Sequence, residues 1–282
     1  MINLLYCGNK LMFDGLLLSL LSASKNTKES LNVLIVTGDF HEISPFFVPV
    51  GEDDRAFLES VIKKSNPDSV VRLLDETETM KNELPREKNF FSKYTPYSLM
   101  KVFFDLFPEV PEKSLYLDTD TIVIHDLSTF YNSDLGGKNI GMVLDNLRII
   151  FFHPGYLNSG VMLLDMDKIR HDGSFSRCRD IIAAKKLKHP DQDAINKVLR
   201  KEKKVQRYLR DYNEQRKVFT STVIRHFTPE LFLFPYPHTV NIKPWQIADV
   251  HNIYHDHEFD ALYKEYIALK KDFAISTVKA FK

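Results

Sequence analysis

The stretch Leu115-Tyr116-Leu117-Asp118-Thr119-Asp120-Thr121-Ile122-Val123-Ile124 decides how this chain is read. An apolar run climbs to two acids one residue apart, then resumes. In an extended chain residues i and i+2 share a face, so Asp118 and Asp120 are expected to point the same way at the polar end of a buried strand. Carboxylates held that close repel each other and are costly to desolvate. A divalent cation relieves both costs, because hard cations prefer oxygen ligands. In open α/β sheets, ligands gather at the carboxyl ends of strands. The plain structural alternative is an Asx-rich turn after a strand.

Outward from that stretch the pattern is strand, loop, helix, strand. Met1 to Cys7 reads as a first strand, Gly8-Asn9-Lys10 as a turn, Phe13 to Ser24 as a helix and Leu31 to Thr37 as a second buried strand. A βαβ unit of this kind implies a parallel sheet, and its first loop commonly carries nucleotide contacts. Asp53 to Lys64 is an amphipathic helix, Ser69 to Leu74 a short strand and Asn82 to Lys93 a charged surface loop. Ser98 to Leu106 reads as a helix, Ile140 to Leu144 and Gly160 to Leu164 as strands, and Ser176 to Lys186 and Asp191 to Lys201 as helices. The basic run Lys201 to Lys217 is expected to be a solvated helix face.

Composition permits an enzyme and argues against other classes. The chain has 282 residues and is 44% apolar, enough for one large core. Lys+Arg and Asp+Glu balance at 38 each, so no net field draws nucleic acid. Cys7 and Cys178 stand far apart, which excludes a disulfide framework and fits a reducing compartment. No apolar run nears the roughly 18 residues that span a bilayer, and the first residues do not read as a signal peptide.

Further signals follow the acids. Tyr156-Leu157-Asn158-Ser159-Gly160 precedes an apolar run; small residues there let a ligand approach the backbone, and the Asn amide can hold a hydroxyl. A β-turn is the alternative. In His189-Pro190-Asp191-Gln192-Asp193-Ala194-Ile195-Asn196 the acids are helix caps or, for one of them, a sugar-binding group. Lys243-Pro244-Trp245 carries the only Trp, and His226, His238, His251, His255 and His257 form a late group of histidines.

Taken in order, strand-DTD, NSG, DQD, then His and KPW, the chain resembles family 8 glycosyltransferases, which have the GT-A fold. The resemblance spans roughly Ile2 to Trp245. It implies an α/β, Rossmann-like, mainly parallel mixed sheet flanked by helices over 1–250, with a helical C-terminal extension over 251–282. It also implies a retaining transferase of a hexose, glucose or galactose, from a UDP-sugar, dependent on Mn²⁺ or Mg²⁺. Carried over by position, Asp118 and Asp120 look like the metal pair, with His226 or His238 as the third ligand. Strand context favours His226, and proximity to Lys243 favours His238. Lys243 resembles the lysine that meets the distal phosphate. Thr119 and Ser159 are expected among the donor-binding residues, and Asn158 and Asp191 would hold sugar hydroxyls. Gln192, with Asp191 beside it, matches the position beneath the anomeric carbon. Tyr6 and Asn9 are the choices for base and ribose. The chain departs from the family where the helix before DTD would offer an arginine, because Tyr97-Ser98-Leu99-Met100-Lys101 has none.

Two other readings compete. Asp118-Thr119-Asp120-Thr121 also fits the DxDxT nucleophile motif of haloacid-dehalogenase-type phosphatases, and a GT-A domain can serve as a non-catalytic scaffold. The acceptor is expected to be a glycan, lipid-linked or protein-linked group. The C-terminal stretch Phe259 to Lys282 either packs on the domain or forms a foot on an anionic membrane surface, with the protein cytoplasmic or peripheral on the inner face of the plasma membrane.

Overall fold

The computed structural model describes residues 1–83, 96–147 and 154–280. Its central sheet is built from β1 (Ile2–Cys7), β2 (Leu31–Thr37), β3 (Val70–Asp75), β4 (Lys113–Leu117), β6 (Ile140–Leu144), β7 (Leu157–Asp165) and β8 (Val205–Arg207), in the order β3-β2-β1-β4-β7-β6-β8. The half from β3 to β4 is all parallel, β7 runs antiparallel to both β4 and β6, and β8 is again parallel to β6. The inner strands are near-continuous apolar runs because both faces of the sheet are covered.

Alternation sorts the side chains into two cores. Leu4, Tyr6, Leu115 and Leu117 pack with α1 (Phe13–Asn26), α2 (Glu52–Lys63) and the C-terminal helix Asp260–Ala280. Leu5, Cys7 and Tyr116 face the other way, onto the segment Leu99–Val110 and the helices between Met166 and Leu199. Helix α1 is apolar nearly all round and accordingly buried, which is what a helix wedged between a sheet and a second helix layer requires. A Cβ on Gly15 would lie 2.7 Å from both the Thr119 carbonyl oxygen and the Trp245 ring, so the missing side chain lets α1 press against the DTD turn.

Several expectations change in detail. The acids do not lie within one strand: β4 ends at Leu117, Asp118-Thr119-Asp120 turns the chain, and β5 (Thr121–Val123) leaves to pair with β9 (Ile224–His226) in a separate antiparallel ribbon. Lys201 to Lys217 is not a helix. It holds β8 and a 3-10 turn at Arg210–Asn213, and Asn213, Glu214 and Gln215 within it are buried. Charge pattern alone missed that the run crosses the sheet edge. Asn158 to Gly160 form no turn; they are the opening residues of β7. The segment before DTD is one α-turn, Pro96–Leu99, continued as a 3-10 helix to Leu106. The expected surface loop falls mostly outside the described residues, its first two positions ending the helix Thr77–Glu83.

The C-terminal helix lies on the domain. Phe259, just before it, and Tyr263, Tyr266 and Leu269 on it enter the core, and Phe273 stacks on Phe13 with centroids 4.9 Å apart and packs tilted against Phe57 at 4.4 Å. Lys270 pairs with Asp14, and Lys25 with Glu265. Among the described residues no helix is long and apolar enough to cross a membrane.

Candidate active site

Sheet topology brings the acids together with their partners. Because β7 runs antiparallel to β4, its first residues lie beside the last of β4: Leu117 faces Val161, and the Asp118 amide donates to the Gly160 carbonyl at 2.7 Å. The β5–β9 ribbon sets Thr121 opposite His226, and the Phe227 amide donates to the Asp120 carbonyl at 2.9 Å. His226 thereby arrives at the carboxyl end of β4 with Nε2 3.1 Å from Asp120 Oδ1 and 3.8 Å from Asp118 Oδ2. Among the described residues, Asp118, Asp120 and His226 form one of two groups whose ligand atoms could share an ion.

The tautomer of His226 follows from its neighbours. The Gly160 amide donates to Asn158 Oδ1, and Asn213 Nδ2 donates to the same oxygen, so Asn213 Oδ1 is the atom 3.0 Å from His226 Nδ1. An amide oxygen can only accept, so in the neutral ring Nδ1 carries the proton and Nε2 turns its lone pair to the aspartates. This explains why Asp120 Oδ1, buried and 3.1 Å from Nε2, has no hydrogen-bond partner among the described residues: two acceptors face each other. That pairing is unfavourable unless a cation or a proton lies between them. The residues present therefore fit a divalent ion held by two carboxylates and an imidazole nitrogen. Lys243 Nζ stands 2.6 Å from Asp120 Oδ2. Burial works to raise the Asp120 carboxyl, but the Lys243 ammonium outweighs it and holds the group well below the usual carboxylate range, with His226 adding to this only in its doubly protonated form. Gly160 makes the packing feasible: a Cβ there would sit 2.1 Å from His226 Cε1 and 2.7 Å from Asp118 Oδ2.

On the opposite side stands a lysine. Lys101 is only 2% exposed and its Nζ lies 3.1 Å from Asp118 Oδ1, 3.1 Å from Asp191 Oδ2 and 3.4 Å from the Ser159 carbonyl. Burial disfavours its charge, yet Asp118 and Asp191 prevail and raise its pKa, keeping it protonated. The Tyr116 hydroxyl donates to Asp118 Oδ1 at 2.5 Å and its ring lies under the ammonium at 4.7 Å. Gln192 is fixed at both ends: Oε1 accepts from the Ser159 amide at 3.0 Å, with the Ser159 hydroxyl oxygen 3.3 Å away, and Nε2 donates to Asp145 Oδ2 at 2.9 Å. Asp191 accepts from the Ser159 hydroxyl at 3.0 Å. The acids of the DQD run divide their labour, for Asp193 caps the helix Pro190–Ile195 by accepting from the His189 amide at 3.0 Å.

The expected site residues distribute as follows. Asp118, Asp120, Asn158, Ser159, Asp191, Gln192, His226 and Lys243 gather in one cluster across the ends of β4 and β7; Thr119 is buried against α1. His238 is not with the aspartates; it lies in the hairpin of β10 (Glu230–Phe232) and β11 (His238–Val240), with Nδ1 bonded to the Tyr236 carbonyl. Strand context was the better guide because β9, not sequence distance to Lys243, delivers the ring. Tyr6 is a correction. Strand alternation points it into the α1 core, where it is fully buried, its hydroxyl meets Ser19 at 3.0 Å and burial pushes its pKa up, so it does not reach a nucleotide. Asn9 is buried with Oδ1 unpartnered. Sequence reading missed Lys101, Asn213 and Asp145. The only available signal for Lys101 was a charge inside Leu99-Met100-Lys101-Val102-Phe103-Phe104, an otherwise buried run that demands a counter-charge.

A profile of Glycosyl transferase family 8 matches residues 3–248. No curated protein matches the chain. Among solved structures, the galactosyltransferase LgtC in complex with donor and acceptor sugar analogues aligns at TM-score 0.68 and 15% identity, over 95% of this chain and 96% of that one. GlyE, a glycosyltransferase of Streptococcus pneumoniae TIGR4, aligns at TM-score 0.57 and 16% identity, over 95% and 64%. The bifunctional glycosyltransferase WbbM aligns at TM-score 0.59 and 13% identity over 75% of this chain, which spans 39% of WbbM. At these identities the likeness is one of fold, the GT-A architecture. The matched profile covers most of the chain and removes the phosphatase reading of DxDxT: this chain belongs to glycosyl transferase family 8 and is a glycosyltransferase.

Proposed function

We propose that the chain moves a hexose, glucose or galactose, from a UDP-sugar to a glycan, lipid-linked or protein-linked acceptor with retention of configuration. A divalent ion, Mn²⁺ or Mg²⁺, would be held by Asp118, Asp120 and His226. The observation that carries this reading is the lone-pair conflict between His226 Nε2 and the unpartnered Asp120 Oδ1, which a cation resolves. Such an ion supplies Lewis-acid neutralisation of charge on a departing diphosphate.

The protein's own groups do the rest. Lys243, anchored on Asp120, adds positive charge on the side where the diphosphate would leave. The buried Lys101 fixes the Asp191 carboxylate, which would accept from a sugar hydroxyl. A neutral amide whose Oε1 already accepts from the Ser159 amide is a poor nucleophile, so the role of Gln192 is to stabilise positive charge at the anomeric carbon while the acceptor attacks from the leaving-group side. A solved LgtC structure carries a glutamine-to-glutamate change described as an active-site mutation. Pre-set dipoles of this kind act without reorganisation during the reaction.

A thermal-shift panel of nucleoside diphosphates and UDP-sugars, with and without Mn²⁺, tests the proposal. Saturating donor plus Mn²⁺ is expected to raise the midpoint by about 5 °C or more, and chelator or Asp118→Asn to abolish the rise. Equal shifts with EDTA, or none with any uridine nucleotide, would refute it.

A further inference from the structure

Away from the cleft, the described residues hold a second group of metal-ligating side chains: His251, His257 and Asp260. His251 belongs to the short helix Ile247–Ile253, Asp260 opens the C-terminal helix, and His257 lies in the connection. Nε2 of His251 is 2.7 Å from Asp260 Oδ1, and Nδ1 of His257 is 3.3 Å from Asp260 Oδ2. The imidazoles stack with centroids 4.4 Å apart at 24°. A carboxylate capping its own helix needs neither ring. Here two imidazoles from outside that helix converge on one carboxylate, each through a nitrogen that can ligate.

We propose that His251, His257 and Asp260 form a site for a borderline divalent cation of the Zn²⁺ class. Two imidazole nitrogens and one carboxylate suit Zn²⁺ and disfavour Mg²⁺ or Ca²⁺, which prefer oxygen. The three ligand atoms already lie within 4.8 Å of one another, so side-chain rotation alone brings them to Zn–N and Zn–O distances of about 2.0–2.2 Å. Side-chain exposures of 28%, 65% and 53% for His251, His257 and Asp260 leave room for water to complete the coordination shell. Coordination replaces any proton shared between His251 and Asp260, which leaves to solvent. The ion would clip the end of the helix Ile247–Ile253 to the start of the C-terminal helix, whose aromatic face closes the core over α1. It would therefore restrain opening of the chain's last helix, a role separate from the cleft.

The test uses the full chain, stripped with chelator and carrying Asp120→Asn to silence the cleft, titrated with Zn²⁺ alone. We expect one Zn²⁺ to bind and to slow amide exchange at the junction of the two helices. Adding His257→Gln or Asp260→Asn, both at exposed positions, should weaken binding by about tenfold or more and remove the protection. Zn²⁺ binding unchanged by either substitution, or absent below millimolar Zn²⁺, would overturn the proposal. Because the readout is Zn²⁺ binding in an Asp120→Asn background, failure here leaves the glycosyltransferase reading untouched.

Discussion

Around Lys101 buried charge finds its counter-charge inside the protein; around His226 it does not. The ammonium of Lys101 is divided between Asp118 and Asp191, and the Gln192, Ser159 and Asn158 side chains all bond to protein partners. The His226 corner leaves Asp120 Oδ1 unpartnered against an imidazole lone pair, with Lys243 engaging only the other oxygen. One corner is complete without a ligand and holds shape; the other is complete only with a cation and so selects one.

Lys101→Met attacks the complete corner and should have the largest effect. Removing one partner of a buried ion pair leaves Asp118 and Asp191 facing each other uncompensated, a loss of about 3–5 kcal/mol in stability. Urea unfolding in chelator checks it. A loss under about 1 kcal/mol would mean that the lysine does not hold this corner together. Gly160→Ala attacks the other corner. The added methyl must displace His226 or Asp118, and a shift near 1 Å at a catalytic group costs about a hundredfold in kcat/KM. Wild-type turnover in that variant would show that His226 is not where the chemistry happens.

These two residues also show what could be read from the chain. The parallel half of the sheet was legible because β1, β2 and β4 are apolar runs punctuated by Gly8-Asn9, and periodicity reports burial. Asp118 and Asp120 were legible because two acids at the end of such a run break the pattern. Lys101 was not, since its counter-charges lie 17 and 90 residues downstream and only the fold unites them. Asn213 sat inside a stretch whose basic composition read as solvated helix, while the burial of its amide depends on β9 pairing. Tyr6 failed for the opposite reason: loop proximity suggested a ligand contact, and strand parity, which assigns it to the α1 core, should have outranked it.

Asn213→Ala sharpens the comparison by removing the acceptor that orients His226, together with its bond to Asn158. Loss of the acceptor at Nδ1 frees the tautomer, and removing the partner that orients a ligating imidazole weakens metal binding about tenfold or more. Calorimetric Mn²⁺ titration measures it directly. If Asn213→Ala binds Mn²⁺ as the wild type does, the lone-pair argument for the His226 corner loses its basis.

The smallest effect separates the corners by pH. Asp120 has its folded pKa held below the unfolded value of about 3.9, so its contribution to stability is present above that value and is lost as pH falls toward the folded pKa. Lys101 has its folded pKa raised, so its contribution is present below the unfolded value of about 10.4 and is lost only as pH rises through the folded pKa. Acid therefore tests one corner and leaves the other alone. Between pH 7 and pH 3 the wild type should lose about 1 kcal/mol through Asp120, because the unfolded carboxyl takes up a proton that the folded one refuses. Asp120→Asn should lack that share and show a shallower acid limb in urea midpoints, while Lys101→Met, which keeps Asp120, should retain the wild-type slope. Parallel acid limbs in all three proteins would mean that the charges of the two corners are not stored in the folded state as the distances imply.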